Sequence, residues 1–129
     1  VHYDTLDIVD YDEVHKYMSN VKNEARIHVE GMPTFHGGNP LIEFQKYVKE
    51  NLIYPAYAKY EGIEGSVGIQ FRIDEEGNVQ ELFIVNSSHN DFSIEAVRLV
   101  IEATGWGPRM KDGKPVQTMF SPMIVFRLP

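Results

Sequence analysis

The side chains able to do acid, base, nucleophilic or metal chemistry are scattered along this chain. His2, His15, His28, His36 and His89 fall on different stretches, and none has the i, i+4 spacing that brings two imidazoles to one metal ion. Solvated or partly buried histidines are the expected outcome. His89-Asn90-Asp91 is the nearest approach to an acid–base pair, but Asp91 stands where a helix should begin, and a carboxylate there accepts from orphan amides, so capping is its expected role. Ser87 and Ser88 lack the glycine flanks of a nucleophile elbow. Neither Gly37-Gly38 nor Gly105-Trp106-Gly107 follows a strand into a helix with phosphate-cradle spacing. The chain has no cysteine, which excludes disulfides, thiolate ligands and cysteine nucleophiles. No base, nucleophile and oxyanion donors converge, so no reaction, metal or cofactor is expected. What remains is backbone chemistry: an unpaired strand edge is a template for a partner's extended segment.

The elements that must build such an edge follow from pattern. With 129 residues, 43% hydrophobic and 12% aromatic, the chain can form one core. A net charge of −7 and a pI near 5.1 leave no basic footprint for nucleic acid. Residues 1–30 carry seven acidic and three basic side chains and are read as an acidic segment on the linker side. Val14, Tyr17, Met18, Val21 and Ala25 predict a short helix there from about Asp12 to Glu24, followed by a short strand around Ile27 and Val29. Residues 31–129 are read as the folded domain. No run reaches the roughly 18 apolar residues that cross a bilayer, and an opening on Val1 without a signal-peptide pattern suggests a fragment of something longer.

Within 31–129, Asn39-Pro40 predicts a capped helix start, with Leu41, Phe44, Val48 and Leu52 on one face. Tyr54-Pro55 breaks it, a second short helix runs through Tyr57, Ala58 and Glu61, and Gly62 stops that. Val67, Ile69, Phe71 and Ile73 alternate with Ser66, Gly68, Gln70 and Arg72, which predicts a half-buried strand. Asp74 to Asn78 is a turn into a second strand, Val79 to Val85, so the pair reads as a hairpin. A third helix begins among Asn90, Asp91 and Ser93, with Val97, Val100, Ile101 and Thr104 on its face, and ends near Gly105. Trp106 is expected to pack under the following turn. The last run, in which Val116, Phe120, Ile124, Phe126 and Leu128 share a face, predicts the longest strand. Pro122 within it points to an edge position, because proline cannot donate to a ladder. Met119 and Met123 lie on its opposite face, either as an adaptable contact surface or as cover for a second buried layer.

The order of these elements and their punctuation resemble the C-terminal domain of TonB energy transducers, in the form found in Bacteroidetes-like bacteria. The resemblance is carried by Pro33-Thr34-Phe35-His36-Gly37-Gly38, Tyr54-Pro55 with Ala58, Gly62 to Val67, Phe71 to Val79, Glu95-Ala96-Val97, Trp106-Gly107-Pro108, Gly113 to Val116, and Pro122 to Leu128. It covers the chain from about Met32 onward. His36 stands where the family usually has proline, and Asp91-Phe92-Ser93-Ile94 replaces the usual Leu-Asp start of the third helix. The resemblance implies an α+β fold with a three-stranded antiparallel sheet packed against helices, in the order α-α-β-β-α-β. It implies a non-enzymatic periplasmic domain, tethered to the inner membrane by a segment outside this sequence. Its implied partners are the TonB box of outer-membrane transporters, bound by edge-strand addition, and an ExbB/ExbD-type motor. Phe120, Ser121, Met123, Ile124, Val125, Phe126, Arg127 and Leu128 are then the partner-binding residues, with Tyr54 and Pro55 near the partner's approach. Tyr54 has a plainer alternative as a core-filling ring. A different class of reading is a domain that pairs its edge with a second copy, or a regulatory TonB-like domain on another membrane protein.

Overall fold

The structure, a computed structural model, describes residues 31–129. The helix expected over residues 12–24 and the strand near Ile27 lie outside the described residues. Strand β1 (Thr34–Phe35) pairs antiparallel with β4 (Trp106–Gly107), where the sequence had predicted only loop. Two-residue strands carry no detectable alternation, and this pair is held by packing: the Phe35 ring, fully buried, lies 4.4 Å from that of Trp106.

Asn39 caps helix α1 (Pro40–Asn51), its side chain accepting from the Leu41 amide at 2.9 Å, with Pro40 in the first turn. Leu41, Phe44 and Val48 are buried as the periodicity required. After the Tyr54-Pro55 break, α2 (Ala56–Glu61) is closed by Gly62 at φ +71, a left-handed conformation that side chains resist. Strands β2 (Gly65–Ile73) and β3 (Val79–Ser87) form the expected hairpin. Asp74 tightens its turn, accepting from the Glu76 and Asn78 amides at 2.9 Å each. Gly77 is required there twice over, by φ +85 and because a Cβ would sit 2.5 Å from the Trp106 carbonyl oxygen.

Helix α3 (Asn90–Glu102) corrects two expectations. Its N-cap is His89, whose Nδ1 accepts from the Asp91 amide at 3.1 Å, so Asp91 sits in the first turn and does not cap. Its core face is Phe92, Ala96, Leu99 and Val100, while Ile101 is 68% exposed. Of the expected face of Val97, Val100, Ile101 and Thr104, Val100 is buried and Val97 packs against the core, while Ile101 and Thr104 are exposed; the buried face is turned by about one position, because aliphatic type alone does not say which side meets the sheet.

The run predicted as one long final strand is divided. Val116 belongs to a small hairpin of β5 (Arg109–Lys111) and β6 (Lys114–Val116), and the sheet strand proper comprises β7 (Thr118–Phe120) and β8 (Met123–Phe126). Both pair with β2, giving a lateral order of β3, β2, then β7 and β8 in line. Val67, Ile69, Phe71 and Ile73 are all fully buried on the face toward the helices. They meet an aromatic cluster of Phe35, Phe44, Phe92, Trp106, Phe120 and Phe126. At about 1.5–3 kcal/mol for each large apolar side chain removed from water, this layer fixes the sheet against the helices.

Candidate functional site

The candidate site is the outer edge of β7–β8, and its geometry follows from one register. Ile73 opposes Thr118, Phe71 opposes Phe120, Val67 opposes Ile124 and Gly65 opposes Phe126, so β7 and β8 are one strand interrupted in its bonding and continuous in its path. The interruption is Pro122. The Ile69 amide donates to the Pro122 carbonyl at 3.1 Å, which makes Ile69 and Pro122 a hydrogen-bonded pair that lacks one of its two bonds. Bonded pairs alternate with unbonded ones in an antiparallel ladder. Phe120, Pro122, Ile124 and Phe126 therefore turn their backbone groups inward to β2, and Met119, Ser121, Met123, Val125 and Arg127 turn theirs outward. The proline weakens the inner ladder and leaves every outward N–H in place. It does mark an edge strand, though its missing donor is on the inner side. Among the described residues no strand pairs with that outer side.

Side chains follow the same alternation. Phe120, Ile124 and Phe126 are buried under the helices. Met119 is 44% exposed and Met123 and Val125 are half-buried on the opposite face. The predicted set thus divides into two groups with different work. Ser121, Met123, Val125 and Arg127 turn their backbone groups away from β2, while Phe120, Ile124 and Phe126 hold the strand in place. The Leu128 amide is already taken, donating to Glu64 Oε2 at 2.7 Å.

Tyr54 lies beside this strand. Its ring meets Phe126 edge-on at 5.9 Å and Phe92 at 5.7 Å, and its hydroxyl donates to the Ile63 carbonyl. Burial, with the Glu64 carboxylate second, pushes the phenol above its ordinary value. Pro55 caps α2 and lines a shallow groove with Ile53, Ala56, Asp91, Ile94 and Glu95.

Sequence reasoning gave no role to Glu95, the one buried acidic residue among those described. Its Oε2 accepts from the Ile53 amide at 2.7 Å and pairs with Arg98 at 2.7 Å, and Arg98 also donates to the Asn51 carbonyl at 2.9 Å. The pair ties α3 to the end of α1 and fixes the loop that carries Tyr54. Its i, i+3 spacing on one helix was visible in the sequence; its far partners are backbone groups, which no side-chain pattern reveals.

The other edge of the sheet is β3. Its register with β2 shifts twice, between Gly68 and Ile69 and between Gln70 and Arg72, and Glu81 takes φ 51 at the second shift. Arg72 Nη2 reaches Glu81 at 3.3 Å. Among the described residues no three His, Cys, Asp or Glu side chains are grouped to hold a metal, and no helix is long and apolar enough to cross a membrane.

Residues 50–128 match the family described as Gram-negative bacterial TonB protein C-terminal. The chain belongs to that family. Among solved structures, the TonB C-terminal domain of Pseudomonas aeruginosa is similar, at 26% identity and a TM-score of 0.51 over 60% of this chain and 79% of that one. The Helicobacter pylori TonB C-terminal domain shares the fold, with a TM-score of 0.58 at 23% identity over 69% of this chain and 80% of that one. No curated protein matches the chain. Membership makes this a TonB-type periplasmic domain of transport energy transduction, a role without catalysis. The α+β class and the antiparallel sheet are those the resemblance implied.

Proposed function

We propose that this domain binds the TonB box of outer-membrane transporters by adding it as a strand to the β7–β8 edge, and transmits force through that contact. The observation that carries the reading is the outward alternation of Met119, Ser121, Met123, Val125 and Arg127 in a single register, undisturbed by Pro122. Residues 31–129 are the binding domain in this reading, and residues 1–30 lie on the side of an inner-membrane tether that couples to an ExbB/ExbD-type motor. Tyr54 and Pro55 flank the approach. A few backbone hydrogen bonds, each contributing about 0.5–1.5 kcal/mol net, less the cost of ordering the peptide, give modest affinity. That suits a coupler which engages and releases.

The test is titration of the isotope-labelled domain with peptides from the periplasmic N-termini of the host's outer-membrane transporters. Saturable amide shifts confined to residues 119–127 and the Tyr54 loop are expected. Absence of shifts at millimolar peptide, together with a concentration-independent dimer by light scattering, would move the edge to self-pairing.

A further inference from the structure

The β5–β6 hairpin brings three cations close together on a chain of net charge −7. Its turn, Asp112-Gly113, takes φ 53 and φ 78, the two positive angles whose twist matches that of the flanking strands. The register is therefore tight: Lys111 opposes Lys114 and Arg109 opposes Val116. Side chains two apart on a strand share a face, as do directly opposed ones, so Arg109, Lys111 and Lys114 stand together on one face. Like charges directly opposed on a ladder repel. Among the described residues none of the three is in an ion pair, neither with Asp112 nor with Glu75 and Glu76, whose turn passes Trp106 at Gly77. Arg109 adds a buried Nε without a hydrogen-bond partner, a cost that native structures seldom leave standing. An anion laid on this face would relieve the repulsion that the hairpin otherwise carries.

The same chain supplies that anion. Asp4, Asp7, Asp10, Asp12 and Glu13 follow one another with no Lys or Arg between them, and acidic runs of this kind commonly serve as interaction segments. The covalent path leads them to the hairpin: the segment enters the domain at β1, β1 pairs with β4, and β4 runs through Pro108 into β5. Lys111 lies at most roughly 13 Å along the strand from Gly107. The residues between Glu13 and Gly31 cover that distance even at the about 1.5 Å each of a helix. We infer that the acidic run of residues 4–13 docks on the Arg109, Lys111 and Lys114 face of its own domain. Tethering raises the local concentration of these carboxylates above that of a free partner, so contacts that are weak singly act together. The docking is independent of the edge-addition reading. Within the transducer reading it has one consequence: a segment fastened to the hairpin makes pull from the N-terminal side enter the domain at the β1–β4 end.

The chain has no cysteine, so Thr5→Cys gives a unique attachment point for a nitroxide on the isotope-labelled 129-residue chain. Paramagnetic broadening of the amides from Arg109 to Lys114 is expected to exceed that of β2 at least about two-fold at about 0.05 M salt, and to fade at about 0.5 M as screening shortens the reach of charge. The double variant Lys111→Gln, Lys114→Gln should remove it, with unchanged β2 and β3 amide shifts as the check on folding. The pair Lys111→Glu, Lys114→Glu should remove it too, and combining that pair with Asp7→Lys, Asp10→Lys and Asp12→Lys should restore it. Broadening that is absent, centred elsewhere, or indifferent to salt and to these variants would overturn the docking. Binding to phosphatidylglycerol vesicles through the same lysines, without broadening, would give the face to a lipid surface and overturn it equally.

Discussion

The sheet has two outer edges, and they are built differently. The β3 edge is bulged twice against β2, carries Glu81 in a left-handed conformation, and holds that residue to Arg72. Bulges twist a strand away from regular pairing, and charges on an edge discourage a second chain. The β7–β8 edge runs from Thr118 to Phe126 in one register, with apolar and small side chains beside its outward amides. A sheet of this kind avoids indiscriminate pairing by spoiling one edge and keeping the other regular. The regular edge is also the one whose inner side is locked by Phe120, Ile124 and Phe126, so it presents a fixed template.

The contrast can be broken at several places. The largest effect is expected from Phe126→Ala, which removes a fully buried ring stacked on Phe92 at 4.1 Å and should cost about 3–5 kcal/mol in urea denaturation; a cost under about 1 kcal/mol would mean the strand is not anchored from inside. Next comes Val125→Pro, which deletes an outward amide only. It should reduce binding of a transporter peptide at least about ten-fold while changing stability by no more than about 1 kcal/mol. Unchanged affinity would show that the outer amides are not used. Glu81→Gly relieves a left-handed backbone that costs an L-residue about 1–2 kcal/mol, against glycine's added chain entropy and loss of the exposed Arg72 pair. A gain of about 0.5 kcal/mol is expected, with peptide affinity unaltered; a loss above about 1 kcal/mol would make the ion pair, and not the bulge, the device that guards β3.

The smallest effect is at the hairpin turn. The Asn78 amide holds the Asp74 carboxyl below its ordinary value, outweighing a slight burial, with Gln80 and Glu76 adding to it. Because the folded value is lowered, the turn's contribution is full above the ordinary carboxylate range and is lost as pH falls through the lowered value. Carboxyl-carbon NMR should show Asp74 titrating below the ordinary aspartate value, with β3 amides loosening in step and those of β8 unaffected.

Much of this was legible in the sequence. Asn39-Pro40, the Tyr54-Pro55 break, Gly62 and the alternation from Val67 to Ile73 each act through their own backbone or through burial on a repeating face, and local pattern reports such causes. Pro122 pointed to the edge through an argument whose direction the structure reverses, since the missing donor faces β2, and the resemblance supplied the kind of partner. What escaped was set by distant contact. The β1–β4 pair exists because Phe35 packs on Trp106, Glu95 matters because the Ile53 amide and Asn51 carbonyl come to it and its Arg98, and α3 turned its Phe92 face inward because Phe126 waits there. His89 caps with a ring nitrogen, outside the residue types that usually do so.

The unbroken register past Pro122 has a mechanical consequence. In the proposed complex, the bonds of a segment added antiparallel along residues 119–127 would lie perpendicular to the strand, so that tension applied along the segment would be shared among them and they would fail together, in shear. Tension applied across the sheet parts them singly from one end, as a zipper opens. Direction of pull, more than its size, then decides whether such a joint holds or lets go.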